Sequence, residues 1–178
     1  SESTAQDFLD SLEHSWDVEI EEHGWTPPAG TSRAPLRVTI LSDNYAGAYT
    51  TVDRCEDGSG YVPYIVTYAG SFRAGNWYKS MAAHEFNHAS QFSYGYAHEF
   101  WWWESTATYV EELVYENSND WAQNTYAFAL VPYIGMNAWD PDRSDQYIEA
   151  HGYGMAVWGF YLDEKVDGPD MVRDTWRE

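Results

Sequence analysis

Two histidines and one glutamate, His84, Glu85 and His88, have the spacing at which one turn of helix can hold both a metal ion and a base. Four residues advance an α-helix by about 400°, so His84 and His88 would share one face and could bind a single ion. Glu85 would lie about 100° around the helix from His84, beside a metal-bound water. The pattern predicts a zinc site in which Glu85 is the general base of a hydrolytic reaction.

The motif lies in an apolar segment that reads as a helix over residues 77–92, beginning near Asn76. Two histidines four residues apart can also be ordinary helix residues whose ring nitrogens are satisfied by hydrogen bonds. Polar groups in a buried helix need partners, however, and a metal ion supplies one for both imidazoles. The apolar surroundings therefore favour the metal site.

A catalytic zinc site needs a third protein ligand. The metzincin pattern would place Gly three and His six residues after the second histidine, but this chain has Gln91 and Tyr94 there. A second helical segment, residues 101–114, carries Glu104, which is our predicted third ligand. His98, in the segment between the two helices, is the alternative, although a loop holds a ligand less rigidly than a helix does.

A helix with HExxH followed by a glutamate-bearing helix resembles the gluzincins, a class of zinc peptidases. The likeness extends over nearly the whole chain to a family of predicted secreted bacterial metallopeptidases. The segments that carry it are Ala83–Phe92, Trp103–Glu112, His151–Gly154, Trp16–Glu19 and Gly24–Trp25. The resemblance implies a zincin-like fold, one Zn²⁺ per chain and a peptide or protein substrate.

One position departs from that resemblance. Thermolysin-like gluzincins have an Asp four residues after the ligand Glu, where it supports a histidine, and this chain has Thr108 there. Glu111, two turns after Glu104, could replace it, but a solvated surface carboxylate is an equally good interpretation.

Residues that could stabilise an oxyanion occur near the C-terminus. His151 and Tyr153 are predicted to open the last helix, Tyr153–Leu162, which would stop before Gly168. A helix cap and a core tyrosine are equally good interpretations of these two residues.

The elements that would position these residues indicate an α+β fold. Residues 4–20 have helical spacing of apolar side chains, Leu36–Leu41 and Tyr61–Tyr68 read as strands with a loop between them, and the chain turns helical after residue 76. We expect one zincin-like domain over residues 1–178, with a small N-terminal sheet beside the active-site helix and a helical C-terminal part.

Zinc-dependent endopeptidase activity is the function that these patterns predict. The alternatives are hydrolysis of a non-peptide amide and a non-catalytic zinc-containing binding module. Cys55 is the single cysteine and is interpreted as inert. The sequence predicts neither a signal peptide nor a membrane-spanning segment within these residues, and we expect a secreted, extracellular monomer.

The charge balance is strongly acidic, with 29 Asp and Glu against 9 Lys and Arg and a formal net charge of −20. Such a surface repels nucleic acid and anionic membranes and is typical of extracellular or salt-rich habitats. Two acidic groups, Asp53/Glu56/Asp57 and Asp140/Asp142/Asp145, could bind Ca²⁺, but neither has an EF-hand pattern, so solvated loops are favoured.

A net charge of −20 predicts salt-dependent stability. Screening of self-repulsion should raise the melting temperature as NaCl increases towards molar concentrations. Circular dichroism melts across that titration measure the effect. A melting temperature that stays flat or falls would contradict it.

Overall fold

In the computed structural model, residues 1–95 fold around a three-stranded sheet with the order β1-β3-β2. The central strand β3 (Tyr61–Tyr68) pairs parallel with β1 (Arg37–Leu41) and antiparallel with β2 (Ala48–Arg54). Helix α1 (Glu2–Trp16) precedes the sheet and helix α2 (Trp77–Gln91) follows it. The mixed α+β class, strands β1 and β3 and helix α2 are confirmed.

The structure describes residues 2–29, 36–55, 60–73, 75–95, 99–138 and 146–177. Residues 1–95 and 96–178 form two compact units. The single zincin-like domain over residues 1–178 stays a prediction. None of the helices in the described ranges combines the length and apolar composition needed to cross a bilayer.

Strand β2 corrects the expectation of a loop between β1 and β3. Residues 49–52 are Tyr, Thr, Thr and Val, which favour strands, and β2 pairs with β3 along its whole length. Its short run of strand-forming residues lies between Gly-rich and Asp-rich segments, which hid it in the sequence. Pro63 lies near the start of β3, as predicted, one residue before the pairing with β1 begins at Tyr64.

The N-terminal helix changes its geometry near its end. The expected helix over residues 4–20 is α-helical only to Trp16, and a π-helical turn, Asp17–Glu22, continues it. The turn closes with a bond from the His23 amide to the Val18 carbonyl and with Gly24 at φ 65°. Glycine adopts this left-handed conformation without steric cost, so the chain can leave the helix there.

The core of residues 1–95 forms where α1 and α2 cover the sheet. Its buried members are Phe8, Leu12, Ile65, Met81, Ala82 and Phe86. Helix α2 is buried at every position from Ser80 to Gln91, although seven of these twelve residues are polar. The sheet and α1 thereby fix α2 as a rigid central element.

The second unit is helical. It contains α3 (Phe100–Val114), α4 (Thr125–Leu130), α5 (Gln146–Gly154), α6 (Ala156–Leu162) and α7 (Pro169–Asp174). Helix α3 packs against α5 and α6. The predicted helix over residues 101–114 is thus confirmed.

The predicted last helix, Tyr153–Leu162, is wrong at its start. The chain breaks at Met155, whose amide bonds to the His151 carbonyl, so that α5 and α6 are separate helices. His151 and Tyr153 therefore belong to the last turns of α5 and do not open a helix. Gly152 and Gly154 weaken the helix here because glycine has low helix propensity.

Close packing of α6 on α3 depends on Gly159. A Cβ at this position would lie 2.8 Å from Cγ and 2.9 Å from Cβ of Tyr109. The Tyr109 ring is buried, packs edge-on to Phe160 at 5.3 Å and donates a hydrogen bond to Asp163. The ring is therefore held from several sides and cannot move to admit a methyl group.

Gly159→Ala should lower the free energy of unfolding by about 1–3 kcal/mol, as overpacking of a core does. Urea unfolding followed by fluorescence measures the loss. Gly135→Ala is the control, since its added Cβ would meet only the Asn137 side-chain oxygen, at 3.2 Å. Equal effects of the two substitutions would contradict the packing argument.

Candidate metal centre

The HExxH motif lies in the buried part of α2, where the sequence placed it. His84 and His88 are each 9% exposed, and their ring centroids are 4.6 Å apart with perpendicular planes. The i, i+4 spacing brings both imidazoles to one face of the helix. Two imidazoles held this closely can act as ligands of a single ion.

Glu104 completes a group of three residues that could hold a metal ion. One ligand atom from each of His84, His88 and Glu104 lies within 4.8 Å of the other two. Zinc bonds of about 2.0–2.1 Å at tetrahedral angles place neighbouring ligand atoms about 3.4 Å apart. Among the described residues, no other set of His, Cys, Asp or Glu has this geometry. Two imidazoles and one carboxylate are a donor set that fits zinc.

Glu85 is held by a residue of the unexpected strand β2. The Thr50 hydroxyl lies 2.6 Å from Glu85 Oε2 and 2.9 Å from the Glu85 carbonyl oxygen. Its single proton can be donated to one of these acceptors at a time, and the shorter distance is to the carboxylate. Glu85 is only 5% exposed, so this contact fixes the orientation of its carboxylate.

His88 has a hydrogen-bond partner on its own helix. Its Nδ1 lies 2.7 Å from Gln91 Oε1, and an amide oxygen only accepts hydrogen bonds. Nδ1 must therefore carry the proton, and Nε2 carries a lone pair in this tautomer. A lone pair on Nε2 is what metal ligation by His88 requires.

Gln91 is itself held by a buried polar chain. Its amide nitrogen donates to Asn87 Oδ1 at 2.7 Å, and Asn87 Nδ2 donates to Glu19 Oε2 at 2.9 Å. Glu19 comes from the π-helical turn and is 0% exposed. Its burial raises the pKa of the carboxyl well above the usual value, although the Asn87 hydrogen bond and the charge of His84 act in the opposite direction. Within the described part of the chain, Glu19 Oε1 has no hydrogen-bond partner.

The candidate oxyanion residues lie near the end of α5. His151 is 3% exposed, packs against Phe128 with ring centroids 6.0 Å apart, and has a pKa lowered by burial. Burial therefore favours the neutral imidazole, which can donate one hydrogen bond. Tyr153 is half-buried. Their catalytic role stays a prediction.

Several other predicted candidates fall outside the described residues. They are His98, the alternative third ligand, together with Glu56, Asp57 and the acidic group Asp140, Asp142 and Asp145. Asp53 is described, and it pairs with Arg37 across the sheet. Cys55 is a half-buried thiol. Calcium binding by the acidic groups stays untested.

Three residues of the site were missed in the sequence: Thr50, Gln91 and Glu19. A Thr in a strand that the sequence does not predict gives no sign of a contact with the motif. Gln91 bears on the sequence analysis only because its position excludes the metzincin pattern. Glu19 was noted only as part of a family segment. Its acidic side chain among apolar residues at helical spacing is the one signal that could have marked it as buried.

The chain matches no protein-family model, no curated protein and no solved structure. What the protein does must therefore be inferred from the arrangement of its own residues.

Thr50→Val should lower the free energy of unfolding by about 1–3 kcal/mol, because the buried Glu85 carboxylate would lose the hydroxyl that donates to it. The variant keeps the side-chain shape. Thr51→Val is the control, since the neighbouring side chain in β2 points to the other face of the sheet. Urea unfolding of the metal-free proteins measures both, and a loss in Thr51→Val equal to that in Thr50→Val would contradict the contact.

Proposed function

We propose that this protein is a gluzincin-type zinc endopeptidase. In this proposal His84, His88 and Glu104 bind one Zn²⁺, and Glu85 is the general base. The observation that carries it is the approach of the three ligand residues to within 4.8 Å, with a buried carboxylate next to the first of them in the sequence. A purely structural metal site would have no use for that carboxylate.

The chemistry divides between the metal and the side chains of the chain. Zinc at this position would polarise the peptide carbonyl and lower the pKa of a water molecule. Glu85 takes the proton of the attacking water and passes it to the leaving amine. Thr50 keeps the Glu85 carboxylate in one orientation, which preserves the geometry needed for proton transfer. His151 and Tyr153 are our candidates for a donor to the oxyanion.

The substrate in this proposal is a peptide or protein, and the site of action is extracellular. The net charge of −20 supports this because such a surface stays soluble at high salt and does not attract nucleic acid. We propose that the enzyme acts as a monomer. The acidic surface also favours substrates without a large negative charge.

Glu85→Gln separates catalysis from metal binding. The substitution keeps the side-chain shape, so the protein should retain about one Zn²⁺ per chain. Cleavage of a quenched-fluorescence peptide library should fall by at least about 10²-fold, the lower end of a general base's contribution. Zinc content is measured by mass spectrometry after dialysis, with Glu13→Gln on α1 as the control.

The outcomes decide between the candidate functions. Near wild-type cleavage by Glu85→Gln would exclude Glu85 as the base. Zinc binding without cleavage of any peptide by the wild-type protein would favour a binding module or a non-peptide amide substrate. A wild-type protein that binds no zinc would overturn the proposal.

Glu104→Gln tests the third ligand. Replacing a carboxylate ligand by a neutral amide should weaken Zn²⁺ binding by at least about tenfold. Glu116→Gln, at an exposed position after α3, should leave binding unchanged. Retention of zinc in Glu104→Gln together with its loss in His98→Ala would assign the ligand to His98 instead.

A further inference from the structure

A line of three buried hydrogen bonds leads from the π-helical turn to the second histidine of the motif. It runs from Glu19 Oε2 to Asn87 (2.9 Å), from Asn87 to Gln91 (2.7 Å) and from Gln91 to His88 Nδ1 (2.7 Å). Glu19, Asn87 and Gln91 are all 0% exposed. Bulk water does not reach these three side chains, so each of the bonds depends on the polar atom that its neighbour presents.

Every hydrogen bond in this line is donated towards Glu19, and the accepting oxygen of Glu19 determines this direction. Each amide accepts at its oxygen and donates at its nitrogen, so the pair of Asn87 and Gln91 fits equally well in either direction. In the structure Glu19 Oε2 accepts from the Asn87 nitrogen, a role that fits a carboxylate and also a carboxyl group with its proton on Oε1. Glu19 therefore turns the Asn87 nitrogen towards itself and the Asn87 oxygen towards Gln91. Gln91 must then present its oxygen to His88, whose proton consequently lies on Nδ1.

The backbone around Glu19 holds its side chain at the start of this line. The Glu19 carbonyl accepts a hydrogen bond from the Trp25 amide at 2.9 Å, and the neighbouring Val18 is buried. Trp25 is 2% exposed and packs edge-on against Tyr94. The turn is therefore fixed on both sides of Glu19.

We propose that Glu19 is a positioning residue which, through Asn87 and Gln91, keeps His88 in the tautomer with its proton on Nδ1 and its lone pair on Nε2. Glu19 touches neither substrate nor metal. Its value to the enzyme rests on the proposed zinc site, because only the Nε2 lone pair can bind the ion. The effect on the tautomer itself exists without any metal.

Glu19→Gln tests the direction of the line with little change in shape. A Gln at position 19 can donate as well as accept, so the line can reverse and leave the His88 proton on Nε2. Long-range ¹H–¹⁵N correlation NMR of the metal-free protein distinguishes the two tautomers, and a His88→Gln variant assigns the signal. We expect Nδ1–H in the wild-type protein and a mixture in Glu19→Gln. The control is Glu22→Gln, an exposed position of the same turn, which should give Nδ1–H.

The double variant Glu19→Gln/Asn87→Asp moves the carboxylate one step along the line and keeps the formal net charge at −20. The new carboxylate at position 87 accepts from Gln91 as the Asn87 oxygen does, so the Gln91 oxygen again faces His88. The double variant should therefore restore Nδ1–H. A role of Glu19 in packing alone, or in charge alone, would give no such rescue.

Zinc affinity supplies the second readout. Competition with a chromophoric chelator should show Zn²⁺ binding about 2- to 10-fold weaker in Glu19→Gln, in proportion to the lost fraction of the binding tautomer. The double variant should recover it. An unchanged His88 tautomer in Glu19→Gln, or a mixture that Asn87→Asp does not correct, would overturn the inference. The expected tautomers in a protein that binds no zinc would refute the proposed function and leave this inference standing.

Discussion

The burial of polar side chains along α2 is the constraint on which the rest of the structure depends. From Ser80 to Gln91 the helix has no exposed position, yet it carries three ionisable groups and several amides and hydroxyls. Each such group loses several kcal/mol of hydration unless a partner replaces water, typically about 2–7 kcal/mol. The partners come from separate elements: Thr50 from β2, Glu19 from the π-helical turn, and the Thr26 carbonyl, which accepts from Ser90. The sheet and the N-terminal segment are thus arranged to satisfy one helix.

This arrangement explains why the two carboxylates near α2 behave differently. Glu85 faces a hydroxyl donor and lies next to the motif histidines, where a carboxylate can exchange a proton. Glu19 is fully enclosed and holds one amide, with burial raising its pKa. Glu85 is suited to proton transfer, whereas Glu19 is suited to orienting the Asn87 amide. A short, rigid set of contacts achieves both, because Thr50 of β2 holds Glu85 and Asn87 of α2 holds Glu19.

Much of the fold followed from local sequence signals. Helices α2 and α3 and strands β1 and β3 are confirmed, and each was predicted from the residue types within its own segment. Strand β2 was missed because its strand-forming residues are few and half-exposed, and the break at Met155 was missed because glycine only weakens a helix. His84 and His88 share one face of α2 because their spacing is one helical turn, and their role as metal ligands stays a prediction. Thr50 and Glu19 approach α2 only through the tertiary fold, which no sequence period encodes.

The π-helical turn restricts the number of residues that the chain can have between Trp16 and Trp25. An α-helical turn has 3.6 residues and a π turn has more, so deleting one residue between Asp17 and Glu22 would return the segment to α-helix. If the deleted residue is Asp17 or Val18, the Glu19 side chain would rotate by about 100° around the axis relative to α1 and leave the interior. Exposed residues of the turn, such as Glu21 and Glu22, can vary in type while their number cannot. The spacing between Trp16 and Trp25 is therefore as restrictive as the spacing within the HExxH motif.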